Sequence, residues 1–103
     1  MVSFDLEYEV ELNAPDDRIS STTKARAKSD LVNQSIDAVI GCLDEYNFDA
    51  SNLSDEDILY YCTLKFNDTP DIDSYSAYGG DLVIAYFYMT CYFDIDKFFE
   101  DYG

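Results

Sequence analysis

Residues 2–13, VSFDLEYEVELN, alternate without a break. Val2, Phe4, Leu6, Tyr8, Val10 and Leu12 fall on one side, and Ser3, Asp5, Glu7, Glu9, Glu11 and Asn13 on the other. A period of two is that of a β-strand with one face buried and one face in water. The acids on the wet side recur at every second residue, which sets them about 6 to 7 Å apart along the strand. That separation is similar to the spacing of successive phosphates along a nucleic-acid strand. The apolar side needs a cover, and the rest of the chain has to supply it.

Residues 13–17 (Asn13, Ala14, Pro15, Asp16 and Asp17) break the alternation with turn-forming types. After the polar stretch Ser20 to Thr23 the period lengthens. Leu31, Val32, Ile36, Val39, Ile40 and Leu43 recur at three- and four-residue intervals, so an amphipathic helix is expected from about Lys24 to Tyr46. Such a helix is about as long as the first strand and can lie along one face of a sheet. Residues 47–57 read as a polar, acidic loop with room for one helical turn from Ser54.

A second strand is expected over Ile58 to Asn67, with Ile58, Tyr60, Cys62, Leu64 and Phe66 inward and Leu59, Tyr61, Thr63 and Lys65 outward. Residues 67–81 read as a long loop ending in Gly79 and Gly80. Leu82 to Phe93 is the third strand; Val83, Ala85, Phe87, Met89, Cys91 and Phe93 form its inward side, and its apolar character on both sides places it centrally. Ile95, Phe98, Phe99 and Tyr102 are spaced for a short helix with Asp94 or Asp96 at its N-cap. The expected fold class is α+β: a β-α-β-β-α two-layer sandwich, with a three-stranded antiparallel sheet, one long helix on one face and a short C-terminal helix. It resembles a ferredoxin-like fold without its last strand. At 103 residues, one domain spanning 1–103 is expected.

The composition is 48% hydrophobic and 17% aromatic, too apolar for a disordered acidic tail. Yet 22 acidic residues face only six basic ones, a net charge of −16. Such a surplus disfavours nucleic acid and anionic membranes as direct partners and favours basic ones. Cys42, Cys62 and Cys91 are odd in number and lack CxxC spacing, so they read as reduced core thiols rather than a disulfide framework or a zinc site. Neither a signal peptide nor a membrane-spanning run is recognisable, and a cytoplasmic protein is expected.

The chain contains no His, which removes the commonest general base, the usual triads and histidine metal sites. Its carboxylates fall on outer faces and loops rather than in a shielding pocket. Asp71 with Asp73, and Asp94 with Asp96, look like metal-binding fragments but lack the glycine and the bidentate Glu of a calcium loop. No P-loop or dinucleotide motif is present. A non-enzymatic protein with no catalytic residues, metal or cofactor is expected.

What remains is the arrangement of charge. Asp5, Glu7, Glu9 and Glu11 form one row. On the helix, Asp30, Asp37 and Asp44 recur every seven residues, about 10 Å apart, and with Glu45 form a second row opposite the apolar stripe. Asp55, Glu56 and Asp57, and then Asp68, Asp71 and Asp73, extend it as loop clusters. Arg18, Lys24, Arg26 and Lys28 are crowded into eleven positions, and only Lys65 and Lys97 follow. Tyr61, Tyr86, Tyr88 and Tyr92 are expected on the outer side of the second and third strands, as an interface or as a second core layer.

In length, acidity and lack of catalytic equipment, the whole chain resembles the small DNA-mimic inhibitors of phages and mobile elements, including anti-restriction and some anti-CRISPR proteins. The resemblance is compositional, without a diagnostic motif. It implies a viral protein, working in the host cytoplasm, that occupies the nucleic-acid groove of a CRISPR effector or restriction enzyme. The 14 acids named above are the expected partner-binding residues, and an open sheet edge or the tyrosine face is the expected seat of any homodimer. Two other classes use the same electrostatics: an acidic chaperone or immunity partner of a basic protein, and a small interaction domain adapted to high salt, where screening relieves the repulsion. The ten Tyr and seven Phe fit the last less well.

Overall fold

The computed structural model describes residues 1–12, 21–67, 69–77 and 80–102. The elements run β1 (Val2–Leu12), α1 (Ser21–Glu45), α2 (Asp55–Leu59), β2 (Cys62–Phe66), β3 (Asp71–Ala77), β4 (Gly80–Phe93) and α3 (Ile95–Tyr102). The expected turn at 13–17 lies outside the described residues.

The fold is α+β with an antiparallel sheet, as the alternation of periods implies, and β4 is its centre. One edge of β4 pairs with β1 along the whole of that strand, from Val2 opposite Phe93 to Leu12 opposite Val83. The other edge is shared. Met89 to Phe93 pair with β2, and Gly80 to Tyr86 pair with β3. The sheet therefore has four strands instead of three, because β3 forms within the segment expected to be a loop. Asp and Ser have low strand preference, which hides the element from a reading of propensity. The pairing decides it: β2 is too short to cover the second edge of a 14-residue strand, and the backbone of 71–77 satisfies the remainder.

The second strand is also shorter than its pattern suggests. Ser54 Oγ accepts from the Asp57 amide at 3.2 Å, and the Asp57 carboxylate accepts from the Ser54 amide at 3.1 Å. This capping box starts α2 and draws Ile58 and Leu59 into a helix. The faces of the next two residues are exchanged relative to the expected strand: Tyr60 is 70% exposed, and Tyr61 is buried.

Helix α1 begins three residues before Lys24 and ends at Glu45, one residue before the expected Tyr46. Asn47, at φ 60°, adopts the left-handed conformation; Phe48 N–H donates to the Leu43 carbonyl at 3.0 Å and Asn47 N–H to that of Asp44 at 2.9 Å. This Schellman arrangement satisfies the last carbonyls and turns Phe48 back onto the core. Ala27, Leu31, Ser35, Ile36, Val39 and Leu43 are the buried stripe. The buried Ser35 hydroxyl donates to the Leu31 carbonyl at 2.9 Å, so it lies in the core with its hydrogen bond made. Ile40, read as part of the stripe, is 38% exposed.

Two clusters fill the space between α1 and the sheet. Ala27, Leu31, Ala85, Phe87 and Met89 form one; the other gathers Ile36, Val39, Leu43, Ile58, Tyr61, Cys91, Phe93 and Phe98. Helix α3 closes the second. The Asp94 carboxylate caps it by accepting from the Lys97 amide at 3.2 Å, and Phe98 drives inward to meet Phe93, Phe48 and Tyr61. Cys91 is fully buried, and Cys42 and Cys62 are half-buried, all as free thiols. The Cys62 thiol lies 3.4 Å from the Ile58 carbonyl, and a hydrogen bond with Cys91 together with burial holds its pKa above the ordinary thiol value. It stays a packed thiol.

Candidate functional site: an acidic, tyrosine-lined sheet face

Helix α1 covers one face of the sheet. On the other face, directly opposed residues of neighbouring antiparallel strands project together. Asp5 lies opposite Thr90, Glu7 opposite Tyr88, Glu9 opposite Tyr86 and Glu11 opposite Ile84. Across β4, Asp71 lies opposite Tyr86 and Asp73 opposite Ile84. The register thus sets two acidic rows, one on β1 and one on β3, on either side of a central row of Ile84, Tyr86 and Tyr88. Two strand spacings separate the acidic rows by about 9.5 Å.

All six carboxylates belong to exposed residues, and the central residues are half-buried between them. Tyr88 registers the field. Its phenol is raised above its ordinary value, first by burial, then by the charges of Asp71 and Glu7 and a hydrogen bond with Asp71. A phenol flanked by carboxylates serves as a donor and resists ionisation. Asp5 accepts from the Thr90 hydroxyl at 3.2 Å, which steadies one end of the β1 row. Beyond it the face changes character: Lys65 lies 5.3 Å from the Tyr92 ring centroid, a cation–π contact that spends a positive charge within the chain.

The structure divides the other expected site residues. Asp37, Asp44 and Glu45 are exposed on α1, on the far side of the molecule from the sheet face, so no single flat partner surface meets both rows. Asp30 is half-buried and accepts from the Gln34 amide at 2.7 Å, while the same Gln34 nitrogen donates to the Glu7 carbonyl at 3.1 Å. Asp37 and Asp44 share a cavity of about 440 Å³ with Ile40, Phe48 and Asp49. Asp49 is held below the usual carboxylate range by hydrogen bonds from Ser51. Asp55, Glu56 and Asp57 form the first turn of α2, the helical turn for which the segment left room from Ser54, and Asp57 serves the capping box. Asp68 lies outside the described residues. Asp71 and Asp73, read as loop acids, belong to the sheet face. Tyr61, expected on that face, is in the core instead.

Helix α1 also carries its charges against its dipole. Its first turn holds no acid and its last turn no base, while Lys24, Arg26 and Lys28 lie near its start and Asp44 and Glu45 at its end. Each charge near a helix terminus shifts stability by about 0.3 to 1 kcal/mol, and these have the unfavourable sign. The acids at its end are not placed to stabilise the helix.

Among the described residues, no three His, Cys, Asp or Glu side chains gather in a way that could hold a metal ion, and no helix is long and apolar enough to cross a membrane. Comparison with family models, curated proteins and solved structures finds no match.

Proposed function

We propose that the protein is an acidic nucleic-acid mimic that binds and inhibits a basic nucleic-acid-binding protein or complex, of the CRISPR effector or restriction enzyme class. The observation that carries this reading is the pair of carboxylate rows on one open sheet face, Asp5, Glu7, Glu9 and Glu11 with Asp71 and Asp73. A partner groove lined with Lys and Arg gains affinity by neutralising regularly spaced charges and releasing counterions. Carboxylates held at strand spacing offer it the same pattern without bases to read. The tyrosines between the rows add rigid contact area with a polar tip, suited to the centre of an interface.

The test is a pull-down from host lysate with the immobilised protein, followed by washes with duplex DNA. Recovery of a nuclease or DNA-binding complex that added DNA releases supports the mimic. A basic partner that DNA does not displace points to the chaperone or immunity class, and binding of no basic protein defeats the proposal.

A further inference from the structure

At the end of the molecule where α2 meets α3, Glu56, Asp57, Tyr60, Tyr61 and Tyr102 line a cavity of about 370 Å³. That volume is at the small end of the range for ligand pockets. Three of its five walls are tyrosines. Tyr60 and Tyr61 meet edge to face at 5.0 Å, and Tyr61 and Tyr102 at 6.0 Å, so the rings are held at steep angles to one another. Tyr61 is anchored in the core, and its hydroxyl donates to the Asp101 carboxylate at 2.6 Å, which ties β2's entry to α3. Tyr60, by contrast, is 70% exposed, and burial does not account for where it stands.

The chemistry of the walls selects the ligand. Aromatic faces carry negative quadrupole charge, and cations within about 6 Å of a ring centroid are attracted to them. The chain's own Lys97 ammonium lies 5.2 Å from the Tyr60 centroid, although Lys97 does not line the cavity. Glu56 and Asp57 add carboxylates at the rim. Asp57 engages one oxygen, Oδ2, with the Ser54 amide. A flat guanidinium stacks on an aromatic ring and forks onto carboxylate oxygens at once, which a compact ammonium does not. We infer that this cavity is an arginine-binding pocket that takes a guanidinium side chain of the basic partner. The identity of the occupant as a partner residue rests on the proposed function; the pocket's chemistry does not.

The experiment is a titration of the intact protein, carrying ¹³C-labelled tyrosine, with N-acetyl-arginine amide. N-acetyl-citrulline amide and N-acetyl-lysine amide are run at matched ionic strength. Saturable shifts at Tyr60 and Tyr102 with the arginine compound are expected, with no saturation by the neutral citrulline compound and binding by lysine weaker by roughly fivefold or more. Tyr46, 59% exposed and not among the lining residues, is the control ring. Glu56→Gln should weaken arginine binding roughly threefold or more, and Tyr60→Ala should abolish it; both positions are exposed, so both variants should keep the wild-type fold. Equal response to citrulline or lysine, shifts at Tyr46 as large as those at Tyr60, or unchanged affinity in Tyr60→Ala overturns the pocket. Arginine binding with a failed pull-down would sink the mimic reading alone, and a DNA-released partner without arginine binding would sink the pocket alone.

Discussion

The two faces of β4 make an instructive pair. Val83, Ala85, Phe87, Met89, Cys91 and Phe93 point one way and are buried; Ile84, Tyr86, Tyr88, Thr90 and Tyr92 point the other way and are half-exposed. By residue type, both sides of this strand are apolar enough to be core. What separates them is the neighbour above each: α1 and α3 pack on the first, whereas on the second the adjacent strands contribute carboxylates. A sheet face becomes core only where another apolar surface reaches it. Here the outer face is left half-exposed, with aromatic area and negative charge together.

The contrast can be broken most directly by matched truncations on the two faces. Phe87→Ala removes a fully buried ring and should cost about 3 to 5 kcal/mol in urea unfolding, a large share of the 5 to 15 kcal/mol typical of a domain. Tyr88→Ala, the next residue on the opposite face, should cost about 1 kcal/mol or less. Equal losses would make the outer face a second core layer.

Glu7→Lys, Glu9→Lys and Glu11→Lys combined should weaken partner binding roughly tenfold or more. Unfolding free energy should shift by no more than about 1 kcal/mol, since exposed positions tolerate substitution. Unchanged affinity would exclude β1 as a contact surface and shift attention to the acids of α1.

The Tyr61 phenol is raised above its ordinary value of 10.0, first by its hydrogen bond to Asp101 and then by burial. A group raised on folding stabilises fully below its unfolded value and loses that contribution as pH rises through the folded one. Urea unfolding of the wild type should therefore weaken as pH rises above about 10, with Tyr61→Phe less stable than wild type below that pH and less sensitive to the rise. An identical alkaline loss in the variant would remove Tyr61 as its source.

At the smallest scale, Asp44→Asn and Glu45→Gln should each raise stability by about 0.3 to 1 kcal/mol at low ionic strength, with the gain fading in salt. A loss in either variant would mean that these acids support the helix after all.

Much of this was legible in one dimension. The alternation of residues 2–12 marks β1 and its wet acids, the helical period marks α1, and the double-sided apolar run marks β4 as the central strand. The signals that failed were local patterns with two readings. Ile58 to Tyr61 carry strand-forming residues, but Ser54 and Asp57 cap a helix first, and the displaced phase sends Tyr61 inward. Residues 71–77 carry Asp and Ser among their strand formers and become a strand because β4 has an unpaired edge to satisfy.

By itself, then, the sequence determined which residues are apolar, at what period they recur, and that negative charge dominates, since periodicity and composition are local properties. Which acids stand together depends on how the strands pair. Strand register brought Asp71 and Asp73 beside the β1 row and turned the acids of α1 to the far side, because pairing across β4 is a contact between segments distant along the chain.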